Sequence, residues 1–172
     1  MNVPEIETER LRLRAIHPET DFEPWAQAMA DEETVRYIGG KTMDRATAWR
    51  SMATVIGHWS IRGYGFFSVE EKSTRRWVGR VGPWFPEGWP EPEVGWTIIR
   101  EHWGKGYATE AGRASIDYAR DVLGWPRVIH AIIDGNHGSA AVAEKLGSRR
   151  LREQQGVGGI TNENVWIYGQ TF

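Results

Sequence analysis

Two glycines stand between a strand-like run and a helix-like run, inside the segment Trp103 to Ala111. Gly104 and Gly106 leave the backbone amides around them uncovered, and a helix that follows places about +0.5 of a charge at its N-terminus. Such a segment can hold a phosphate or pyrophosphate group. The alternative is that the two glycines only form a tight turn from strand to helix. We interpret the segment as the site of a phosphorylated cofactor.

The residues around the glycines disfavour two other phosphate-binding motifs. A P-loop needs a Lys followed by Ser or Thr, whereas Lys105 is followed by Gly106. A dinucleotide-binding motif needs a third glycine where this chain has Thr109. A nucleotide-binding interaction domain therefore has little support in this sequence.

The same segment resembles motif A of the GCN5-related N-acetyltransferases (GNAT superfamily). That motif is Gln or Arg, two residues, Gly, one residue, then Gly or Ala, and it falls on Glu101 to Gly106, with Glu101 at the first position. The aromatic-Gly-Lys-Gly-Tyr-Ala version is similar to the Rim-type branch, which acetylates the N-termini of ribosomal proteins. Further similarities, in the family's order and spacing, lie in Glu93 to Trp96, Asn136 to Gly147 and the opening segment Glu7 to Arg14.

The resemblance implies an α+β fold, an α/β three-layer sandwich with helices on both faces of a mixed central sheet, in one N-acetyltransferase domain over residues 1–172. It implies acetyl-CoA as the cosubstrate and no metal. The strand Thr97 to Ile99 and the strand Ile129 to Ile133 are expected to splay, so that their free backbone groups bind pantetheine as an added strand would. The residues implied to contact the cofactor are Thr97, Ile98, Ile99, Gly104, Lys105, Gly106, Tyr107, Ala108, Thr109, Asn136, Ser139 and Lys145.

Acetyl transfer to an amine needs a base for the acceptor ammonium and a proton donor for the departing thiolate. Many family members carry a Tyr seven residues after the Asn, but that position is Ala143 here. We predict that Ser139 replaces it as the hydroxyl near the thiol, and that Glu93 acts as the base through a water. The alternatives are an acceptor-binding or solvated Glu93 with a water chain as the base, and helix-capping roles for Asn136 and Ser139.

Composition narrows the class further. The 172 residues, 40% hydrophobic and 26% charged, suit one globular domain. The absence of cysteine excludes a cysteinyl-enzyme intermediate, so acyl transfer is expected to be direct. Five histidines without metal-ligand spacing give no zinc site, and a net charge of −2 gives no basis for nucleic-acid binding. No apolar run approaches the roughly 20 residues of a membrane span and the acidic start is unlike a secretory signal, so we expect a cytoplasmic protein.

Hydrophobic periodicity predicts the elements that position these residues. We expect four helices: one after Thr20-Asp21, one from the N-cap Asp44 to about Gly63, one from the glycine segment to Leu123, and one from Asn136 to Leu146. We expect strands around Leu11 and Leu13, at Tyr64 to Glu70, Trp77 to Val81 and Arg127 to Asp134, and late strands at Leu151 and Val165 to Tyr168. A Pro-rich loop is expected from Pro83 to Pro92.

Together these observations predict an N-acetyltransferase that moves acetyl from acetyl-CoA to a primary amine, either a protein N-terminus or a small molecule. The alternative is a catalytically silent acyl-CoA-binding module, motivated by Ala143 and by Ser148, where the family usually has Phe. The aromatic loop Trp84 to Trp89 is interpreted either as a wall of the acceptor cleft or as a homodimer contact.

Overall fold

The computed structural model of the protein describes residues 3–158 and 161–172. Its strands form one eight-stranded sheet in the order β1-β2-β3-β4-β5-β6-β8-β7, and β5 and β6 are its parallel neighbours. The strands are β1 Ile6–Glu7, β2 Leu11–Arg14, β3 Phe67–Glu71, β4 Arg76–Trp84, β5 Glu93–Ile98, β6 Arg127–Ile133, β7 Arg149–Val157 and β8 Thr161–Thr171. The helices are α1 Pro18–Ala30, α2 Glu32–Val35, α3 Arg45–Arg62, α4 Tyr107–Asp121 and α5 His137–Lys145, with a 3-10 turn at Arg100–His102.

Helices cover both faces of the sheet, which confirms the predicted sandwich. Successive side chains of a strand point to opposite faces. On one face, Val81 packs with Ala111 of α4. On the other face, the guanidinium of Arg80 lies 5.0 Å from the ring of Trp25, a buried residue of α1. None of the helices in the described ranges is long and apolar enough to cross a membrane.

The longest helix, α3, begins and ends where the sequence predicts. Asp44 is its N-cap and accepts a hydrogen bond from the Thr47 amide at 2.7 Å. Gly63 ends the helix with a φ of 76°, a left-handed conformation that favours glycine. The helices α4 and α5 also match their predicted segments to within two residues.

The predicted Pro-rich loop begins too early. β4 extends through Pro83 and Trp84, which pair with Val94 and Glu93 of β5. Pairing of β4 with β3 has ended by then, at Val81. Because one side of β4 is already an edge at this point, a residue without a backbone N–H is tolerated in the strand.

The opening segment Glu7 to Arg14 is two strands, β1 and β2, joined by a turn, rather than one strand. Arg14, the last residue of this segment, is less exposed than an alternating pattern of buried and exposed residues predicts. The guanidinium of Arg14 is buried, and it donates to both carboxylate oxygens of Asp21, at 2.8 and 2.9 Å, and to Glu70 at 3.0 Å. These two carboxylates compensate the burial of the charge.

Candidate active site

The sheet opens between β5 and β6. In the described chain these parallel strands pair at one position only, Glu93 with Ile129. Next to this pair, two side chains bond to backbone groups of the opposite strand. The Ala131 amide donates to Oε1 of Glu93 at 3.2 Å, and Nδ1 of His130 lies 2.6 Å from the Val94 carbonyl oxygen. From there the strands diverge, which is the geometry predicted for a pantetheine site.

A cavity of about 650 Å³ occupies this opening. Glu93 lines it at the point where the strands separate. The predicted cofactor residues that also line it are Thr97, Ile98, Gly104, Gly106, Tyr107, Ala108, Thr109, Asn136, Ser139 and Lys145. Ile99 and Lys105 are not among the lining residues. Ile99 packs against the core between α1 and α3, whereas Nζ of Lys105 lies 3.1 Å from Nδ1 of His102, which does line the cavity. The contacts that these residues make with a cofactor remain predictions.

The glycine loop ends in an uncapped helix. Gly104 and Gly106 have φ angles of 75° and 83°, which cost a residue with a side chain about 1 kcal/mol or more. Gly106 is the N-cap of α4, and no side chain of the described residues bonds to the first-turn amides as a cap. These amides therefore remain available for an anion at the cavity wall.

Asn136 and Ser139 lie at the start of α5. Oδ1 of Asn136 accepts a hydrogen bond from the Ser139 amide at 3.1 Å, so Asn136 does cap the helix. The Ser139 hydroxyl oxygen accepts a hydrogen bond from Nε1 of Trp96 at 3.2 Å. The hydroxyl proton has no acceptor among the described residues, so Ser139 can donate into the cavity. Ala143 is fully buried with Ile132 and Tyr168, in the core.

Glu93 is the one carboxyl of the central strand, and it is 7% exposed. Its Oε2 accepts a hydrogen bond from Nε1 of Trp89 at 2.5 Å, and its Oε1 accepts the bond from Ala131. Burial raises the pKa of Glu93 to about 7, against the opposing effect of these two bonds. At neutral pH both the acid and the base form are populated, as a general base requires.

His130 is part of the site that sequence reasoning missed. Because a carbonyl oxygen only accepts, the contact with Val94 assigns the proton to Nδ1, and Nε2 then accepts from the Ser148 hydroxyl at 2.9 Å. Ser148 in turn accepts from Nε2 of Gln170 at 2.9 Å. Burial lowers the pKa of His130 to about 4. A histidine within a β-branched strand gives no sequence signal that its ring will line the cavity and bond to the neighbouring strand.

Part of the cavity wall is formed by α2 and the residues after it, a helix that the sequence did not predict. Glu33, Thr34, Tyr37 and Ile38 belong to this part of the wall. The Tyr37 hydroxyl donates to the Gly135 carbonyl oxygen at 3.2 Å and so connects this segment to the start of α5. A four-residue helix is too short to show a helical period, which is why the pattern was not detected.

The aromatic loop is partly packed into the core. Trp84 stacks on His58 with ring centroids 4.3 Å apart, and it also contacts Phe66. Trp89 contacts Glu93 through its indole N–H. Neither tryptophan is among the residues that line the cavity. In the described ranges, no group of three or more His, Asp or Glu side chains is placed to hold a metal ion.

Comparison with known proteins places this geometry in a family. A family model described as an acetyltransferase (GNAT) domain matches residues 10–149. The uncharacterized protein YkkB of Bacillus subtilis is 32% identical over 148 residues, covering 81% of this chain and 82% of the relative. The crystal structure of an acetyltransferase from Agrobacterium tumefaciens has a TM-score of 0.84 at 27% identity, covering 100% of this chain and 96% of the other.

A further solved structure, Mycobacterium smegmatis RimJ in complex with CoA-disulfide, has a TM-score of 0.76 at 18% identity. It covers 98% of this chain and 86% of the other. At this identity the likeness shows a shared fold. The family match spans most of the chain and includes the glycine loop. The chain belongs to the GNAT family of acetyl-CoA-dependent N-acetyltransferases.

Proposed function

We propose that this enzyme acetylates a primary amine by direct attack on acetyl-CoA bound between β5 and β6. The observation that carries the proposal is the cavity, which connects the uncapped start of α4 with Glu93 and Ser139. In this arrangement the pyrophosphate binds the amides of the Gly104–Gly106 loop, and pantetheine follows the free edge of β5. The thioester then lies between the Ser139 hydroxyl and the part of the cavity that Glu33, Tyr37 and Ile38 line, where the acceptor is proposed to bind.

The chemistry uses two side chains of the cavity wall. Glu93, with its pKa raised to about 7, takes a proton from the acceptor ammonium through a water. The amine lone pair forms a bond to the thioester carbonyl carbon, the C–S bond breaks, and its electron pair leaves on sulfur. The Ser139 hydroxyl donates a hydrogen bond to this thiolate. The second proton, which the nitrogen loses on becoming an amide, is passed through water to the sulfur, and coenzyme A leaves as the thiol.

The acceptor is proposed to be a protein N-terminus, with a small-molecule amine as the alternative. The glycine segment at residues 103–108, which resembles the Rim-type branch, supports the first acceptor. The acceptor is proposed to bind where Glu33, Tyr37 and Ile38 line the cavity. The Glu33 carboxylate there is half-exposed and lies 3.7 Å from the Arg36 guanidinium.

The cofactor is tested first, by thermal unfolding with acetyl-CoA, free coenzyme A, ATP and NAD in parallel. A ligand at 100 times its dissociation constant adds about 2.7 kcal/mol to the free energy of unfolding. A rise with the CoA forms supports the proposal, and the absence of any rise at millimolar concentration overturns it. Stabilisation by ATP or NAD instead would favour a nucleotide-binding domain.

The acceptor is tested by release of free thiol with a panel of amines. The panel pairs peptides that carry a free N-terminus with the same peptides blocked by acetyl, and adds polyamines and amino acids. Turnover lost on blocking identifies an N-terminal acceptor, whereas turnover with the small amines alone identifies the alternative. Binding of acetyl-CoA without turnover of any amine would favour the silent acyl-CoA-binding module.

A further inference from the structure

The turn between β1 and β2 is fixed to the first turn of α4, about 100 residues away in the sequence. Glu110 of α4 accepts hydrogen bonds on Oε1 from the Thr8 hydroxyl at 2.6 Å and from the Arg10 amide at 2.8 Å. Its Oε2 accepts from Nε of Arg10 at 2.7 Å. The Glu110 side chain is 17% exposed, whereas that of Arg10 is 44% exposed, so the carboxylate end of these bonds is the more sheltered one.

The same arginine reaches the glycine loop. Nη1 of Arg10 donates to the carbonyl oxygen of Lys105, the residue between the two glycines, at 2.9 Å. The guanidinium carbon lies 4.8 Å from the ring centroid of Tyr107, the first residue of α4. A Cβ on Gly106 would lie 3.4 Å from Nη2. One guanidinium therefore contacts the loop, the start of the helix and its first turn.

The two glycines of the loop do not by themselves favour one conformation. Gly104 and Gly106 both have positive φ angles and carry no side chain that could pack, so the free loop samples many conformations. A pyrophosphate site needs the amides of the loop to converge on one point. Three other contacts involve the loop and its ends. Nε1 of Trp103 donates to the Ile98 carbonyl oxygen at 2.6 Å, and Nζ of Lys105 lies 3.1 Å from Nδ1 of His102. The Tyr107 hydroxyl donates to Glu71 of β3.

We propose that Arg10 is a positioning residue for the acyl donor: its planar fork holds the Gly104–Gly106 loop in the conformation that receives the phosphates of coenzyme A. The inference rests on the proposed function, because it requires CoA phosphates at this loop. Arg10 takes no part in proton transfer and does not touch the acetyl group. A fork of fixed N–H directions can bond Lys105 and Glu110 at once, whereas a lysine ammonium on a flexible stem cannot hold the same geometry.

The test compares acetyl-CoA with S-acetylpantetheine, which lacks the pyrophosphate and the phosphorylated adenosine of coenzyme A. Arg10→Met is expected to raise the KM for acetyl-CoA about tenfold, the factor given by loss of one charge-assisted hydrogen bond, at unchanged kcat. The kcat/KM for S-acetylpantetheine is expected to stay at the wild-type value. The matched control is Arg12→Met, because Arg12 is paired with Glu7 of β1 and with Glu5, the residue just before β1.

Three outcomes overturn the inference. An equal loss of kcat/KM with both donors means that the substitution loosens the structure in general. An unchanged KM for acetyl-CoA means that the loop keeps its conformation without Arg10. Rescue of the KM by Arg10→Lys means that charge, and not the fork, is what matters. If the wild-type protein neither binds nor uses acetyl-CoA, it is the proposed function that fails, and the wild-type measurement alone reveals it.

Discussion

The backbone amide of Ala131 donates a hydrogen bond to Oε1 of Glu93 at 3.2 Å, beside the ladder pair of Glu93 with Ile129. A side chain thus replaces strand pairing at the point where the sheet opens. The bond holds the proposed base at the inner end of the gap in which the cofactor is proposed to bind. The opening of the sheet and the placement of the carboxyl are therefore one structural feature.

The first prediction concerns the base. Glu93→Gln is expected to lower kcat at least about 100-fold, the range for loss of a general base. The wild-type rate is expected to rise with pH as Glu93 ionises near pH 7, and this limb should disappear in the variant. Calorimetry should give the same affinity for acetyl-CoA in both proteins. A variant with wild-type kcat would instead assign proton removal to a water chain.

The second prediction uses the partner of Glu93. Trp89→Phe keeps an aromatic ring but removes the N–H that bonds to Oε2, and this bond lowers the pKa of the carboxyl against the effect of burial. The rising limb of the pH–rate profile should therefore move to higher pH. Trp84→Phe is the control: the backbone of Trp84 pairs with that of Glu93, but its indole stacks on His58, and the indole that bonds to the Glu93 carboxyl is that of Trp89. A limb that stays in place, or moves to lower pH, would contradict the assignment of this limb to Glu93.

The third prediction concerns the leaving group. Ser139→Ala is expected to lower kcat about tenfold, because a neutral hydrogen-bond donor to the developing thiolate is lost. The dissociation constant of acetyl-CoA should not change. Ser115→Ala is a matched control in α4, since Ser115 is fully buried and its hydroxyl has no partner in the described structure. Equal kcat values for Ser139→Ala and the wild type would show that the thiolate leaves without this hydroxyl.

Local patterns in the sequence predicted the elements that carry the site. The helix α3 was predicted from its N-cap Asp44 and its C-terminal Gly63, and the loop at Gly104 and Gly106 was predicted from two residues that favour positive φ. Such signals lie within a few residues of the element that they define. The extent of β4 was missed because tolerance of Pro83 depends on where the neighbouring strand stops pairing.

The contacts that complete the site are long-range, and periodicity does not contain them. The alternating pattern predicts Arg10 only as a polar residue of a half-buried strand, although it bonds to Lys105 and Glu110 about 100 residues later. His130 reads as one residue of a buried strand, although its ring bonds across the gap to Val94. Both relationships arise only when the fold brings distant segments together.

The fourth prediction concerns stability, and it depends on two buried groups with opposite responses to pH. Burial raises the pKa of Glu93 from 4.5 to about 7, so the folded state keeps a proton that the unfolded state releases. The contribution of Glu93 to the free energy of unfolding therefore falls as pH rises from 4.5 to 7. Burial lowers the pKa of His130 from 6.5 to about 4, so its contribution rises between these two values.

In the wild type, the contributions of Glu93 and His130 to the free energy of unfolding change with pH in opposite directions between about pH 4.5 and 6.5. The single variants should separate the two contributions. Relative to wild type, Glu93→Gln should become more stable as pH rises across this window, since only the His130 response remains. His130→Asn should become less stable over the same window, and the double variant should return to the wild-type slope. Urea midpoints at half-unit pH steps measure this, and other titrating groups contribute equally to all four proteins. Single variants that keep the wild-type slope would mean that neither group is buried from water as the structure describes, because only burial gives the two pKa shifts their size and opposite signs.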